Sequence, residues 1–321
     1  MTAWITRVRS RSEGPRLAVK DNVDVAGLPT TCAHPSFART PSSSSPVVQR
    51  LVDAGCVVVG KTNMDQFATG LVGTRSPYGV VPNPHAPRRL CGGSSSGSAY
   101  VVATGEADLA IGTDTAGSGR VPAALCGIVG LKPTVGLVST EGVVPACASL
   151  DCVSVLARTV GDAAGALAVM AGGPRPVPLG TPVAPAGPLR VGVPRPRDLA
   201  GLDARATSAW ERALEAIGGL GTVVEIDLSP YLEAGRLVYG AAFLPERYMA
   251  VGGFLADHPD GADPTVAAII AAGGTIGAAS SAAARAHLVT LQRGAASWWA
   301  SVDVVCVPPV GEAPTISEVA A

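Results

Sequence analysis

The stretch of residues 91–134, CGGSSSGSAYVVATGEADLAIGTDTAGSGRVPAALCGIVGLKPT, constrains this chain more than any other. It carries two small-residue loops, Gly92-Gly93-Ser94-Ser95-Ser96-Gly97-Ser98 and Thr115-Ala116-Gly117-Ser118-Gly119. Between them residues 99–103 read as a short helix ended near Gly105, and residues 109–111 as a strand that feeds the second loop. Loops this short, set between apolar elements rather than between domains, are not linkers. Their glycines let backbone approach a ligand and turn N–H groups inward, and their serines offer a nucleophile or a proton relay. Asp114 and Arg120 flank the second loop on either side of Ser118, a spacing that predicts an ion pair holding the loop.

Composition narrows the classes. With 321 residues, 47% hydrophobic and 15% charged, the chain can bury a large core and is not a disordered sequence. A net charge of -1 and the absence of any long basic run argue against nucleic acid as a partner. The start, MTAWITRVRSRS, has no apolar stretch of signal-peptide length, and the least charged long run, residues 266–284, is mostly Ala, Gly and Ser. A soluble, cytoplasmic protein with no membrane partner is therefore expected. Seven cysteines (Cys32, Cys56, Cys91, Cys126, Cys147, Cys152 and Cys306) are odd in number and without CxxC spacing, which suits a reduced compartment. Cys147 and Cys152 lie five apart, wider than the usual zinc pair, and no metal is expected.

In chain order, residues 17–20 (LAVK) read as a short strand that delivers Lys20 into the core. Ser45 and Pro46 open a helix with Val47, Val48, Leu51 and Val52 on one face, closed by Gly55. Residues 56–59 follow as a buried strand. GCVVVGKT at 55–62 matches a phosphate-loop pattern, but its four middle residues are themselves the strand, so nucleotide binding is not expected. GSSSG at 93–97 fits a nucleophile-elbow pattern, yet only His258 and His287 follow it, in Ala/Gly-rich surroundings, so a Ser-His-Asp triad is not expected. Residues 160–170 read as a helix, and 172–188 as a Pro/Gly-rich connection. Beyond it come a strand at 189–193, a helix at 204–217 with Trp210, Leu214 and Ile217 on one face, and a strand at 223–228. A largely helical stretch at about 235–299 and an apolar strand at 302–307 complete the chain. The alternation predicts an α/β fold, a mixed and mostly parallel sheet flanked by helices.

Several stretches together resemble the amidase signature family of serine hydrolases. They are the GGSS loop, GTDTAGS with Arg120 and Pro122 behind it, GLKPT at 130–134, and Lys20-Asp21-Asn22 upstream. Within the family, VKDNVDVAGLPTT (19–31), GKTNMDQFATGLVGTRSPYG (60–79), LVSTEGVVPACASLDCVS (137–154) and the region from Tyr239 to Arg247 are most similar to the allophanate hydrolases. The resemblance implies that Ser118 is the nucleophile, that Ser94 is a bridging serine after a cis peptide bond, and that Lys20 is the base. It further implies an oxyanion hole from the N–H groups of Thr115, Ala116, Gly117 and Ser118, and a substrate-carboxylate site at Tyr239 and Arg247.

By the same likeness residues 1–171 form the catalytic core, 172–188 a connection, and 189–321 the rest of the fold, with the helical stretch at 235–299 inserted over the site. The implied reaction releases ammonia from allophanate in urea breakdown and leaves an N-carboxycarbamate that loses carbon dioxide. No cofactor is implied, the partner is a small amide, and a homodimer is left open. The family's domains are usually longer, and AWITRV resembles their early helix joined directly to the lysine strand. Action on another small amide, or a shortened inactive chain with a binding role, are the alternatives left open.

Overall fold

The computed structural model of the chain describes residues 2–9, 13–172 and 187–320. It divides into two compact units, Met1–Gly180 with Pro245–Thr275 and Pro314–Ala321, and Thr181–Leu244 with Ile276–Ala313. Residues 173–186 of the expected connection lie outside the described residues.

The chain opens with β1 (Trp4–Arg7), β2 (Arg16–Lys20), α1 (Pro46–Asp53), β3 (Val57–Thr62), α2 (Ser96–Ala103) and β4 (Leu109–Thr113). Then come α3 (Arg120–Leu125), β5 (Val129–Leu131), β6 (Val153–Ala157) and α4 (Val160–Met170). It continues through β7 (Leu189–Pro194), α5 (Ala204–Gly218), β8 (Gly221–Ile226), α6 (Ser229–Leu237), α7 (Leu244–Asp257) and α8 (Pro264–Gly273). It ends with α9 (Ala278–Ala295), β9 (Val304–Val305) and α10 (Ile316–Ala320).

The first unit is built on a six-stranded sheet of order β1-β3-β2-β4-β6-β5, the second on a three-stranded sheet of order β8-β7-β9. The class is α/β, as the alternation implied, but the strands are shared between two sheets, a mixed six-stranded one and a wholly parallel three-stranded one. Four of the seven pairings are parallel (β2 with β3 and β4, β7 with β8 and β9), and the other three are antiparallel.

Local chemistry explains the elements and their departures from expectation. WITR, expected as part of a helix, is an edge strand antiparallel to β3. Its aromatic and β-branched residues suit a pleated surface better than a helix. In α1, Val47, Val48 and Leu51 are buried while Val52 is 39% exposed, because one residue past Leu51 the helix has turned about 100° away from the core. Ser45 stands at the N-cap position, yet its hydroxyl donates to the Glu141 carbonyl at 2.6 Å instead of accepting from the helix. Pro46 at the first turn needs no such donor. The second unit buries Trp210 and Ile217 of α5 against Val191 and Val193 of β7.

The core of the first unit packs β2, β4 and β6 (Leu17, Val19, Ile111, Val153, Val155) against α1 and α4 (Val47, Val48, Leu51, Leu167, Met170). Each such side chain contributes roughly 1.5–3 kcal/mol by leaving water. The helical stretch read as one insertion divides between the units. Val251 and Leu255 of α7 and Val266 and Ile270 of α8 bury themselves against Cys32, Phe67 and Val144 of the first unit, whereas α9 belongs to the second. No single described helix is long and apolar enough to cross a membrane.

Candidate active site

Strands β2 and β4 lie side by side and parallel, with Leu17, Ala18 and Val19 opposite Leu109, Ala110 and Ile111. Their last residues, Lys20 and Thr113, therefore reach the same carboxyl end of the sheet, where open α/β sheets place ligands. The 91–95 turn ahead of α2 and the 114–119 loop ahead of α3 close over that end. Ser95 N–H donates to the Ser118 carbonyl at 3.1 Å, so the two loops are stitched together.

Lys20 is wholly buried. Its Nζ lies 2.8 Å from Ser94 Oγ and 2.7 Å from Thr113 Oγ1. Asn22 Nδ2 donates to the same Thr113 oxygen at 3.3 Å. Ser94, also fully buried, follows a cis peptide bond from Gly93, as the resemblance implied. Burial lowers the Lys20 pKa to about 7, against an upward pull from the carboxylates of Asp65, Asp114 and Asp151 and from Cys32. An amine in that range can accept a hydroxyl proton near neutral pH. Ser118 is 3% exposed, and among the described residues its hydroxyl has no hydrogen-bond partner; the geometry joins Lys20 to Ser94 but not Ser94 to Ser118.

Asp114 behaves as its spacing predicts. Its carboxylate accepts from Gly117 N (2.7 Å), Gly119 N (3.1 Å) and Arg120 N (3.1 Å), and from the Arg120 guanidinium at 2.9 and 2.8 Å. Burial alone pushes this carboxyl up, but Arg120 and the N–H donors hold it below the usual carboxylate range. Gly117 N–H is thus already engaged. Of the four expected oxyanion donors, those of Thr115, Ala116 and Ser118 have no protein acceptor among the described residues.

Two further buried acids were not singled out from the sequence, although both lie in stretches that carry the family likeness. Asp65 accepts from the N–H groups of Val72, Gly73 and Arg75, while its own N–H donates to the Ser94 carbonyl at 3.1 Å. A Cβ on Gly93 would stand 2.0 Å from Asp65 Oδ2, so only glycine fits before Ser94. Asp151 accepts from the Thr115 hydroxyl at 2.5 Å and from the N–H groups of Ala146 and Cys147. Burial raises both carboxyls. The signal that could have found them is an acid inside an otherwise apolar or small-residue segment, NMDQF and SLDCVS, where burial requires backbone donors.

Arg247 sits in the first turns of α7, just after Pro245, and is 2% exposed. Its Nη1 donates to Thr69 Oγ1 at 3.2 Å, and its charge pulls the Asp151 carboxyl down against burial. Tyr239 lies in the second unit, before α7, and is 41% exposed.

The residues of the two misleading motifs have other partners. Lys61 of the GCVVVGKT segment is buried in β3, bonded to Pro29 O and Thr30 Oγ1 at 3.1 Å each and 3.7 Å from Asp21 Oδ1, so the stretch is a strand rather than a loop. Ser95 donates to Thr113 O, and no histidine hydrogen-bonds to the serines of either loop among the described residues.

Comparison with known proteins agrees with this arrangement. A sequence model of the amidase family matches residues 14–320. The chain is 44% identical to the urea amidolyase of Saccharomyces cerevisiae across 96% of its own length and 17% of that protein's. It is 43% identical to the urea amidolyase of Lachancea kluyveri, again across 96% of the chain and 17% of the relative. Its structure superposes on the solved Kluyveromyces lactis allophanate hydrolase with a TM-score of 0.90 and 40% identity, covering 99% of this chain and 57% of that one. The chain thus spans about a sixth of the urea amidolyases and little more than half of the solved hydrolase. With the family match running over nearly its whole length and a buried lysine bonded to a serine of the first Gly/Ser loop, the chain belongs to the amidase signature family.

Proposed function

We propose that the chain hydrolyses the terminal amide of allophanate, with Ser118 as nucleophile, Ser94 as proton bridge and Lys20 as base. The observation that carries the reading is the wholly buried Lys20, 2.8 Å from Ser94 Oγ and titrating at about 7. Neutral Lys20 takes the Ser94 proton as Ser94 takes that of Ser118, and the Ser118 oxygen attacks the amide carbonyl. The N–H groups of Thr115, Ala116 and Ser118 receive the developing oxyanion. The C–N bond then breaks, and ammonia leaves with a proton returned along the same path. Water enters by the reverse relay and frees an N-carboxycarbamate, which loses carbon dioxide. The names of the relatives, urea amidolyase and allophanate hydrolase, support the choice of substrate and its place in urea breakdown. A reducing cytoplasmic setting goes with the reading, supported by seven unpaired cysteines.

Arg247 is the residue assigned to the substrate's carboxylate, since a guanidinium fork matches a carboxylate bidentately. Biuret is allophanate with a second carboxamide in place of the carboxylate, and so it isolates that interaction. A charge-assisted hydrogen bond is worth roughly 1.5–3 kcal/mol, so kcat/KM for allophanate exceeds that for biuret by roughly 10- to 150-fold. Arg247→Ala removes most of that preference while leaving the melting temperature within a few degrees. Equal kcat/KM for the two compounds, or a preference that survives the substitution, points instead to another small amide as the substrate.

A further inference from the structure

The 114–120 loop is not held evenly. Asp114 fixes its far half, through Gly117, Gly119 and Arg120. The near half, where Thr115 and Ala116 present their N–H groups, has one side-chain tether among the described residues, the Thr115 hydroxyl donating to Asp151 Oδ1 at 2.5 Å. Sheet register places these two residues opposite each other. β4 and β6 run antiparallel with Thr113 facing Val153, and Asp114 and Cys152 exchange backbone hydrogen bonds at 2.8 and 3.3 Å one step beyond, so Thr115 falls level with Asp151.

Asp151 is itself immobilised. It is 6% exposed, and its oxygens take the N–H groups of Ala146 (2.9 Å) and Cys147 (3.1 and 3.2 Å). The segment carrying those donors is tied at its other end, where Ser149 N and Oγ donate to Glu246 of α7 at 2.9 and 2.7 Å. A desolvated carboxylate held by fixed donors is a rigid anchor, and a hydroxyl bonded to it fixes the Thr115 rotamer and with it the adjacent peptide plane.

We propose that the Thr115 hydroxyl and Asp151 form a positioning latch that aims the Thr115 N–H into the oxyanion hole. The inference rests on Ser118 being the nucleophile. The latch touches no substrate; it acts by holding a donor at the angle that the transition state requires and the ground state does not.

The test uses the full chain and the variants Thr115→Val, which keeps the shape and deletes the hydroxyl, Thr115→Ser, which keeps the hydroxyl, and Ser118→Ala. Two rates are read: ammonia release from allophanate, and modification of Ser118 by phenylmethanesulfonyl fluoride followed by intact mass, which needs no knowledge of the natural substrate. Thr115→Val lowers kcat and the modification rate by roughly 10- to 100-fold with KM within about twofold, and Thr115→Ser recovers most of the loss. Thr115→Val with rates within about twofold of the parent overturns the latch, as does a Thr115→Ser variant as slow as Thr115→Val. If Ser118→Ala instead keeps full ammonia release, the catalytic reading fails, and that result is seen independently of either Thr115 variant.

Discussion

A lysine without solvent titrates where the cost of burying its charge balances the pull of nearby carboxylates. For Lys20 that balance lies at about 7, with burial pulling down and Asp65, Asp114 and Asp151 pulling up. With Lys20 as the proposed base the neutral amine is the working form, so the expected outcome is that kcat/KM falls as pH drops through about 7, and a pH–rate profile locates that acid limb. The same shift has a sign for stability. Between about 7 and the ordinary 10.5 the unfolded chain holds a proton that the folded chain does not, so stability rises with pH across this window. Lys20→Met removes turnover and flattens that rise. An acid limb below pH 5, or a pH dependence of stability unchanged in Lys20→Met, contradicts the assignment. Lys20, Ser94 and Ser118 are legible in the sequence because each sits in a short stretch with a distinctive neighbourhood. Asp65, Asp151 and Thr113 are not, because their importance comes from strand register and loop closure, which place them beside residues 29 to 93 positions away in the chain.

At the level of elements, the strands and helices with strong patterns fall where the sequence puts them. α4 spans Val160–Met170, and β7 and α5 run one residue beyond the expected ends. Two of the departures share one cause, that packing decides short elements. β1 is a strand because β3 offers it an edge, and α2 begins at Ser96, three residues early, because its first turn is wedged between neighbouring backbones. Gly97 marks that wedge. A Cβ there would stand 2.3 Å from Ala3 O and 2.7 Å from Asn63 N, both backbone atoms that cannot swing aside. Gly97→Ala therefore destabilises the chain by about 3 kcal/mol or more and displaces Ser94 with the helix start, a loss read as a lower urea midpoint and a drop in kcat together. A midpoint shifted by less than the equivalent of about 0.5 kcal/mol contradicts this packing.

Over the whole chain, the strands divide between two sheets, where the sequence reading drew a single mixed, mostly parallel one. The alternation of helix and strand was sufficient for the class, but it says nothing about which strands pair, and three of the seven pairings turn out antiparallel. Nor could the spacing of Tyr239 and Arg247, eight residues apart, reveal that they fall in different units. The residues proposed for catalysis, Lys20, Ser94 and Ser118, by contrast, all lie in Met1–Gly180, the part of the chain that carries the larger sheet, where two parallel strand ends and two loops converge. In the proposed reaction those residues act together, and the most direct test is ammonia release from allophanate by the purified chain, with Ser118→Ala measured beside it. Steady release by the parent chain and a loss of at least about a thousandfold in the variant are expected, the scale on which removal of a serine nucleophile acts. A folded parent chain that releases no ammonia, or a variant that releases it at the parent's rate, would contradict Ser118 as the nucleophile of an allophanate-hydrolysing site.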